Sequence, residues 1–161
     1  SFGLAMATTF ASPAEIALHF SALAEEHGPA FEMVEGCVAF SDEDRVYTIE
    51  LHENRACLIF NTTVAQNLPD LTVEQLASAM ALNHDPDFCA HGWLSPDLAR
   101  HEILLLGRCP TQALTTEGLW ATIESFVGFT STVAEHLATR LNAVAPDRGP
   151  DELASESWLR V

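Results

Sequence analysis

The sequence contains no lysine, and basic residues of any kind are few. Its seven basic side chains are all arginine, against 23 acidic residues, which gives a formal net charge of −16. The acids are spread along the chain, with one tight cluster at Asp42-Glu43-Asp44. Because such a surface repels phosphate groups, the composition argues against binding to nucleic acid or to an anionic membrane. It fits plain solubility, and it equally fits a solubilising surface around an exposed apolar binding site.

Long apolar runs, a secretory leader and paired cysteines are also missing. No apolar stretch approaches the roughly 18 residues of a membrane span, and the N-terminus lacks the basic region of a signal peptide. The four cysteines form no CxxC pair, and a chain of 161 residues, 48% of them hydrophobic, is large enough to fold without disulfides. We therefore expect reduced, mostly buried cysteines and a cytosolic location.

The chain divides into three expected segments. Residues 1–11 should form a disordered N-terminus, in which the residues before Met6 are a cloning remnant. Residues 12–145 should form a single domain, since no repeat or low-complexity segment interrupts them. Residues 146–161 begin with Pro146 and contain Gly149-Pro150 and Asp151-Glu152. They should form a mobile acidic tail.

Hydrophobic periodicity and turn signals predict three helices and five strands. The first helix begins at Ser12-Pro13-Ala14-Glu15, which supplies an N-cap, a proline and an acid, and it ends at Gly28-Pro29. A second capping box at Thr72–Gln75 begins the second helix. The predicted strands are 33–40, 45–51, 56–64, 89–94 and 102–109, with a turn begun by Ser95-Pro96-Asp97, and the last helix runs from its cap Thr116 to Leu141. This order, helix, three strands, helix, two strands, helix, predicts an α+β fold in which helices pack on a twisted antiparallel sheet.

Two of the predicted strands are apolar on both sides. In the third strand Cys57 and Ile59 alternate with apolar neighbours, and in the fifth Ile103–Leu106 is an unbroken apolar run. A sheet with helices on one face and water on the other should alternate apolar and polar residues instead. We therefore expect another chain to provide the missing cover, either a second subunit or an extended peptide. The alternative is that the sheet curls and covers itself.

Five segments carry a resemblance to a known family. They are Leu58–Val64, Leu76–Asn83, Gly92–Ser95, Glu102–Pro110 and Thr116–Leu141. These resemble the third strand, second helix, glycine-led fourth strand, leucine-rich fifth strand and long final helix of the class I type III secretion chaperones, also called the Tir chaperone (CesT) family. The resemblance covers roughly residues 14–141. Two departures affect packing details, namely three alanines at 77, 79 and 81 where leucine is commoner, and Val133 where an aromatic residue is common.

The resemblance implies a fold, a function and a set of partners. It implies a homodimer in the bacterial cytoplasm that binds the N-terminal segment of secreted effector proteins and keeps that segment non-globular, soluble and competent for secretion. It implies the secretion ATPase as a further partner, and it implies no cofactor, no metal and no catalysis. Binding a disordered segment in this way can bury on the order of 1,000–3,000 Å².

Eight apolar residues are the candidates for the effector-binding surface or the dimer interface, and each is otherwise explained as ordinary core. They are Leu58, Phe60, Leu76, Met80, Trp93, Leu94, Leu104 and Leu106.

Two other functions stay open at this point. Seven histidines and four cysteines invite a small Cys/His enzyme, but Cys89, His91 and their neighbours lack the close spacing of paired zinc ligands. No nucleophile motif such as GxSxG and no glycine-rich phosphate loop is present. A regulatory protein of the same fold, acting on components of the secretion apparatus, is the other alternative.

Overall fold

The computed structural model describes residues 11–68 and 70–144 of the chain. Four helices and five strands follow one another in the order α1, β1, β2, β3, α2, α3, β4, β5, α4, and three short 3-10 turns connect some of them. Their bounds are α1 Pro13–His27, β1 Cys37–Asp42, β2 Arg45–His52, β3 Cys57–Ala65, α2 Val73–Met80, α3 Pro86–Cys89, β4 Trp93–Asp97, β5 Glu102–Pro110 and α4 Thr116–Val144. The predicted α+β fold class is confirmed.

All five strands form one antiparallel sheet in the spatial order β1-β2-β3-β5-β4. Short connections link β1 to β2, β2 to β3 and β4 to β5, as an antiparallel meander requires. The chain enters β4 at the outer edge after α2 and α3, and β5 then returns between β4 and β3. β3 is therefore the central strand, and β1 and β4 are the two edges.

The core lies between the sheet and the two longest helices. Ile16, Phe20 and Leu23 of α1 are spaced by three and four residues and are almost completely buried. Along α4, buried residues recur at the same spacing and lie against β3 and β5. Phe126 of α4 meets the ring of Phe60 in β3 edge to face at 5.3 Å. Among the described helices, none is both long and apolar enough to cross a bilayer.

The helix starts follow the sequence signals at two of three places. The Ser12 hydroxyl accepts from the Glu15 N–H, and both halves of the capping box between Thr72 and Gln75 are present. In contrast, the cap of α4 is Thr115 and not the predicted Thr116, because the Thr115 hydroxyl accepts from the Gly118 N–H at 3.0 Å. The Thr116 hydroxyl lies 2.7 Å from a ring nitrogen of His19 in α1.

Two predicted strands are wrong at their N-terminal ends. The strand predicted over 89–94 begins at Trp93, because Asp85 caps a helical turn with Pro86 in its first position and so forms α3. The predicted turn at Ser95-Pro96-Asp97 is part of β4, and the turn lies at 98–101. The strand predicted over 33–40 begins at Cys37, because Val34 and Cys37 bond to each other across a tight turn.

The expected terminal segments fall almost entirely on residues 1–10 and 145–161, which lie outside the described residues.

Candidate functional site, an uncovered sheet face

The two faces of the central strand differ in what covers them. Leu58, Phe60 and Val64 of β3 point toward the helices and are buried. Ile59 and Asn61, which alternate with them, point to the opposite face and are only partly buried. Because side chains alternate along a strand, every strand of the sheet contributes to both faces. We call the side opposite α1 and α4 the open face, because Ile59, Asn61, Leu104 and Leu106, which point to it, are only partly buried.

The centre of the open face is apolar. Register places Leu106 of β5 beside Trp93 of β4, and Leu104 beside Ser95. Ile59 lies beside Arg108 on the other side of β5. Trp93 is 37% exposed, and the two leucines and Ile59 are half-buried. Together Ile59, Trp93, Leu104 and Leu106 form what we call the apolar patch.

One buried polar atom beside the patch has no hydrogen-bond partner among the described residues. Asn61 lies beside Leu106 on the open face. Its carboxamide oxygen is buried but accepts no hydrogen bond from any residue in the described ranges. A buried acceptor without a donor costs about 1–3 kcal/mol. The middle of this face is thus apolar and contains a buried acceptor that lacks a donor. This combination is unusual for a surface that meets only water.

The β4 edge of the sheet is closed to a further strand. The Leu94 N–H donates to Oδ1 of Asn83 at 2.7 Å, and Nδ2 of Asn83 donates to the Leu94 carbonyl at 3.0 Å. The next residue whose backbone points outward is Pro96, which has no N–H. A side-chain amide and a proline together remove most of the hydrogen-bonding capacity of this edge, as sheets do when an edge must not pair.

The β1 edge is open in comparison. The Leu51 N–H donates to the Gly36 carbonyl, which sets the register so that Val38 and Phe40 bond to β2. The backbone groups of Ala39 and Ser41 therefore point away from the sheet, and no other described strand pairs with β1. Both residues are exposed. This edge offers alternating donors and acceptors to an extended peptide.

The predicted site residues fall into three groups in the structure. One group lies in the core beneath the helices, one lies in the apolar patch, and one lies half-buried on α2. The core group is Leu58, Phe60 and Leu94; the patch group is Trp93, Leu104 and Leu106; the α2 group is Leu76 and Met80. Of the three groups, the patch group is the one that lies on the open face.

Three features of the site escaped the sequence reasoning. The open β1 edge depends on strand order, and the Asn83 clamp joins residues eleven positions apart. The third feature is the pair of opposite charges at the two ends of β5 on the open face. It is visible in the sequence, because Glu102 and Arg108 flank Leu104 and Leu106 at a spacing of two residues. That pattern is a usable signal once the strand is known.

α2 is fixed to the last helix by side-chain bonds to carbonyl groups. Nε2 of Gln75 donates to the Leu141 carbonyl at 3.4 Å, and Nη1 of Arg140 donates to the Ser78 carbonyl at 3.1 Å. α2 also contacts β4. The helix therefore stands beside the β4 end of the sheet, while Val73 at its start remains 64% exposed.

The Cys109 thiol and the arrangement of possible metal ligands bear on the alternative of a small Cys/His enzyme. Burial raises the pKa of the Cys109 thiol above its ordinary value, hydrogen bonding with Thr122 opposes that effect, and the nearby Cys57 adds to it. A thiol with a raised pKa is protonated at neutral pH and is a poor nucleophile. Within residues 11–68 and 70–144, no group of three or more His, Cys, Asp or Glu side chains is arranged to hold a metal ion.

Comparison with known proteins gives one family and several similar folds. The sequence profile of the Tir chaperone protein (CesT) family matches residues 21–134. A search of curated proteins gives no significant match.

Several solved chains resemble this one in fold. A chain of the ExsC–ExsE complex shows a TM-score of 0.64 at 16% identity, covering 77% of this chain and 94% of that chain. A chain of the HopA1–SchA chaperone–effector complex shows a TM-score of 0.51 at 16% identity, covering 74% and 96%. A chain of the ExoT–SpcS complex of Pseudomonas aeruginosa gives 0.49 at 17% identity, covering 76% and 98%. At such identities the first two establish similarity of fold alone.

Proposed function

Because the chain belongs to the Tir chaperone protein (CesT) family, we propose that it is a type III secretion chaperone acting in the bacterial cytoplasm. In this role it holds the N-terminal segment of an effector in an extended, soluble form. The family match spans most of the domain, and the similarity to a chain of a chaperone–effector complex extends over most of both chains. The proposed role involves no catalysis and no cofactor.

The observation that carries the proposal is that the sheet has one uncovered apolar face and one open edge. Apolar surface left in water at the centre of a sheet is a cost unless another molecule covers it. An unpaired strand edge is likewise a liability unless a partner uses it. A protein that closes its β4 edge with Asn83 and leaves β1 open has a specific place for an added strand.

We assign the β1 edge to the effector segment. The backbone groups of Ala39 and Ser41 supply hydrogen bonds that do not depend on the effector's sequence. Val34, which is 66% exposed at the turn before β1, provides an apolar contact next to this edge. The acidic exterior keeps such a complex soluble.

We assign the open face to a second copy of the chain, which makes the working form a homodimer. A stable interface usually buries about 1,200–2,000 Å², which requires the patch together with its neighbours on β3, β4 and β5. The expected contact with the secretion ATPase stays a prediction.

The test of the function is co-expression with N-terminal segments of secreted proteins encoded in the same type III secretion gene cluster. We expect one segment to be soluble only when it is co-purified with this chain. If none of these segments binds, the proposed function is wrong.

An edge variant tests where the segment binds. Ala39→Pro removes one outward N–H from β1, at a position that does not bond to β2. We expect it to lose the segment while keeping its circular dichroism spectrum, because the strand addition loses a donor and meets a proline ring. Ala39→Ser keeps the donor and should bind as the original chain does. Equal binding by both variants would contradict the edge assignment and leave the function standing.

A further inference from the structure

We propose that the open face binds the same face of a second copy in one defined register, in which Arg108 of each protomer meets Glu102 of the other. The proposal rests on the homodimer of the proposed function and specifies its geometry. It follows from the order of side chains along β5, where the open face presents Glu102, Leu104, Leu106 and Arg108 in succession. The row is acidic at one end, apolar in the middle and basic at the other end.

Such a row is complementary to itself when reversed. A two-fold axis that lies in the interface and crosses β5 near residue 105 superposes the strand on its copy in the opposite direction. Glu102 then faces Arg108 of the second copy, and Leu104 faces Leu106. The opposite arrangement, in which the axis runs along the strand, places Glu102 on Glu102 and Arg108 on Arg108. Charge therefore selects the reversed register.

The neighbouring strand β4 agrees with this register. The same axis carries the row of Trp93 and Leu106 onto the row of Ser95 and Leu104. The large Trp93 side chain then meets the small Ser95 of the second copy, so that large packs on small. Stacked sheets lie about 10 Å apart and interdigitate in this way. Because both sheets twist, the overlap is best at β5 and its two neighbours.

The charges at the two ends lack good partners within the chain. Arg108 is exposed and makes no ion pair or hydrogen bond with any described residue. At the other end Glu102 lies directly opposite Asp97 on the same face, a like-charge pair that is unfavourable. Asp97 is offset by Arg100 at 4.0 Å, whereas Glu102 accepts one long bond from Thr63, at 3.4 Å. An incoming Arg108 relieves this repulsion.

A charge-reversal pair tests the register. Glu102→Arg alone and Arg108→Glu alone each place like charges together at two symmetry-related positions. We expect each variant to raise the dimer dissociation constant about tenfold or more in sedimentation equilibrium. An equimolar mixture of the two variants should form a heterodimer of nearly original affinity, because both cross pairs then have opposite signs. Residues 102 and 108 of one strand are about 20 Å apart, so this rescue cannot be intramolecular.

Glu124→Arg is the matched control, since it makes the same charge change at an exposed position of α4 on the covered side of the sheet. It should leave the dissociation constant within about threefold of the original. If either reversal variant fails to fold by circular dichroism, Glu102→Gln and Arg108→Gln replace the pair. These should each weaken the dimer and reduce its dependence on salt.

Three outcomes would overturn the register: a monomeric original chain, reversal variants that dimerise normally, and a mixture that is not rescued. Effector binding, measured separately, distinguishes failure of the register from failure of the proposed function. If the effector segment still co-purifies in those cases, the chaperone function stands and only the register fails. If no segment binds but the mixture is rescued, the register stands and the function fails.

Discussion

A single side chain, Asn83, decides which edge of the sheet is available. Its carboxamide is bonded at both ends to Leu94, so it imitates the backbone of a neighbouring strand. Asn83 lies within the 3-10 turn Ala81–His84 that follows α2, which places it beside the edge. The position of this turn therefore determines, through one residue, whether the β4 edge can bond to another strand.

Replacing Asn83 by Ala should weaken the fold and open the β4 edge. The Leu94 N–H and carbonyl lose their partners, and two lost bonds predict a decrease of about 2 kcal/mol in the free energy of unfolding. Urea denaturation measures this, and light scattering should reveal self-association through the new edge. Asn54→Ala, at an exposed turn, is the control and should change neither quantity. A variant as stable and as monodisperse as the original would show that the clamp is unimportant.

Burial of Cys109 should make the protein sensitive to alkaline pH. The unfolded thiol loses its proton near its ordinary pKa of 9.0, whereas the folded thiol keeps its proton to higher pH. The contribution of this thiol to the free energy of unfolding is therefore fully present below pH 9. It falls as the pH rises from there to the pKa of the folded state, by up to about 1.4 kcal/mol per pH unit.

Cys109→Ala should be less stable at neutral pH but should have a shallower alkaline slope, measured by urea denaturation between pH 8 and 10. Leu105→Val, another core truncation, should lower stability equally at every pH. An unchanged slope in the Cys109 variant would remove the thiol as the cause.

Among the elements, β4 and α4 show opposite uses of glycine. Gly92 precedes β4, and a Cβ there would collide with the backbone oxygen of Leu106, so the close approach of β4 to β5 requires glycine. Gly128 lies within α4 with nothing within 4 Å of an added Cβ. The first glycine is needed for pairing, and the second only weakens a helix.

Alanine substitutions at the two glycines should therefore differ in sign. Gly92→Ala should lower the melting temperature, because the strand must shift away from β5. Gly128→Ala should raise it, since alanine stabilises a helix interior by about 1 kcal/mol relative to glycine. Differential scanning calorimetry compares the two. Destabilisation by Gly128→Ala would mean that this glycine has a packing role.

The elements were predictable where a local signal specifies them. Capping residues predicted the starts of α1 and α2, and alternation predicted β2 within one residue. The turn of α3 was missed because Asp85-Pro86 reads equally as the end of one helix and the start of another. The core group of the predicted site was chosen by hydrophobicity, which does not tell the two faces of a strand apart. Leu58 and Ile59 are equally apolar, and only the position of α4 decides which of them is buried.

At the scale of the whole molecule, the two proposed partners use different surfaces. The effector segment is assigned to the β1 edge, and the second copy to the face around β5, two strands away. Because the edge and the face lie in directions perpendicular to each other, both can be occupied at once. A dimer then presents two β1 edges, and one long segment could bind both, which raises its effective affinity.

Dimerisation should appear as a melting temperature that depends on protein concentration. When unfolding is coupled to dissociation, each tenfold dilution lowers the apparent stability of the dimer by about 1.4 kcal/mol, and the midpoint falls by a few degrees.

Leu104→Asp places a carboxylate in the apolar patch, where it faces Leu106 of the second copy. Leu104 is only half-buried in one chain, so this variant should stay folded but melt at a midpoint independent of concentration. Leu98→Asp, on a residue that is 66% exposed in the β4–β5 turn, should melt like the original chain at every concentration. A midpoint of the original chain that stays constant over a hundredfold dilution would exclude the dimer.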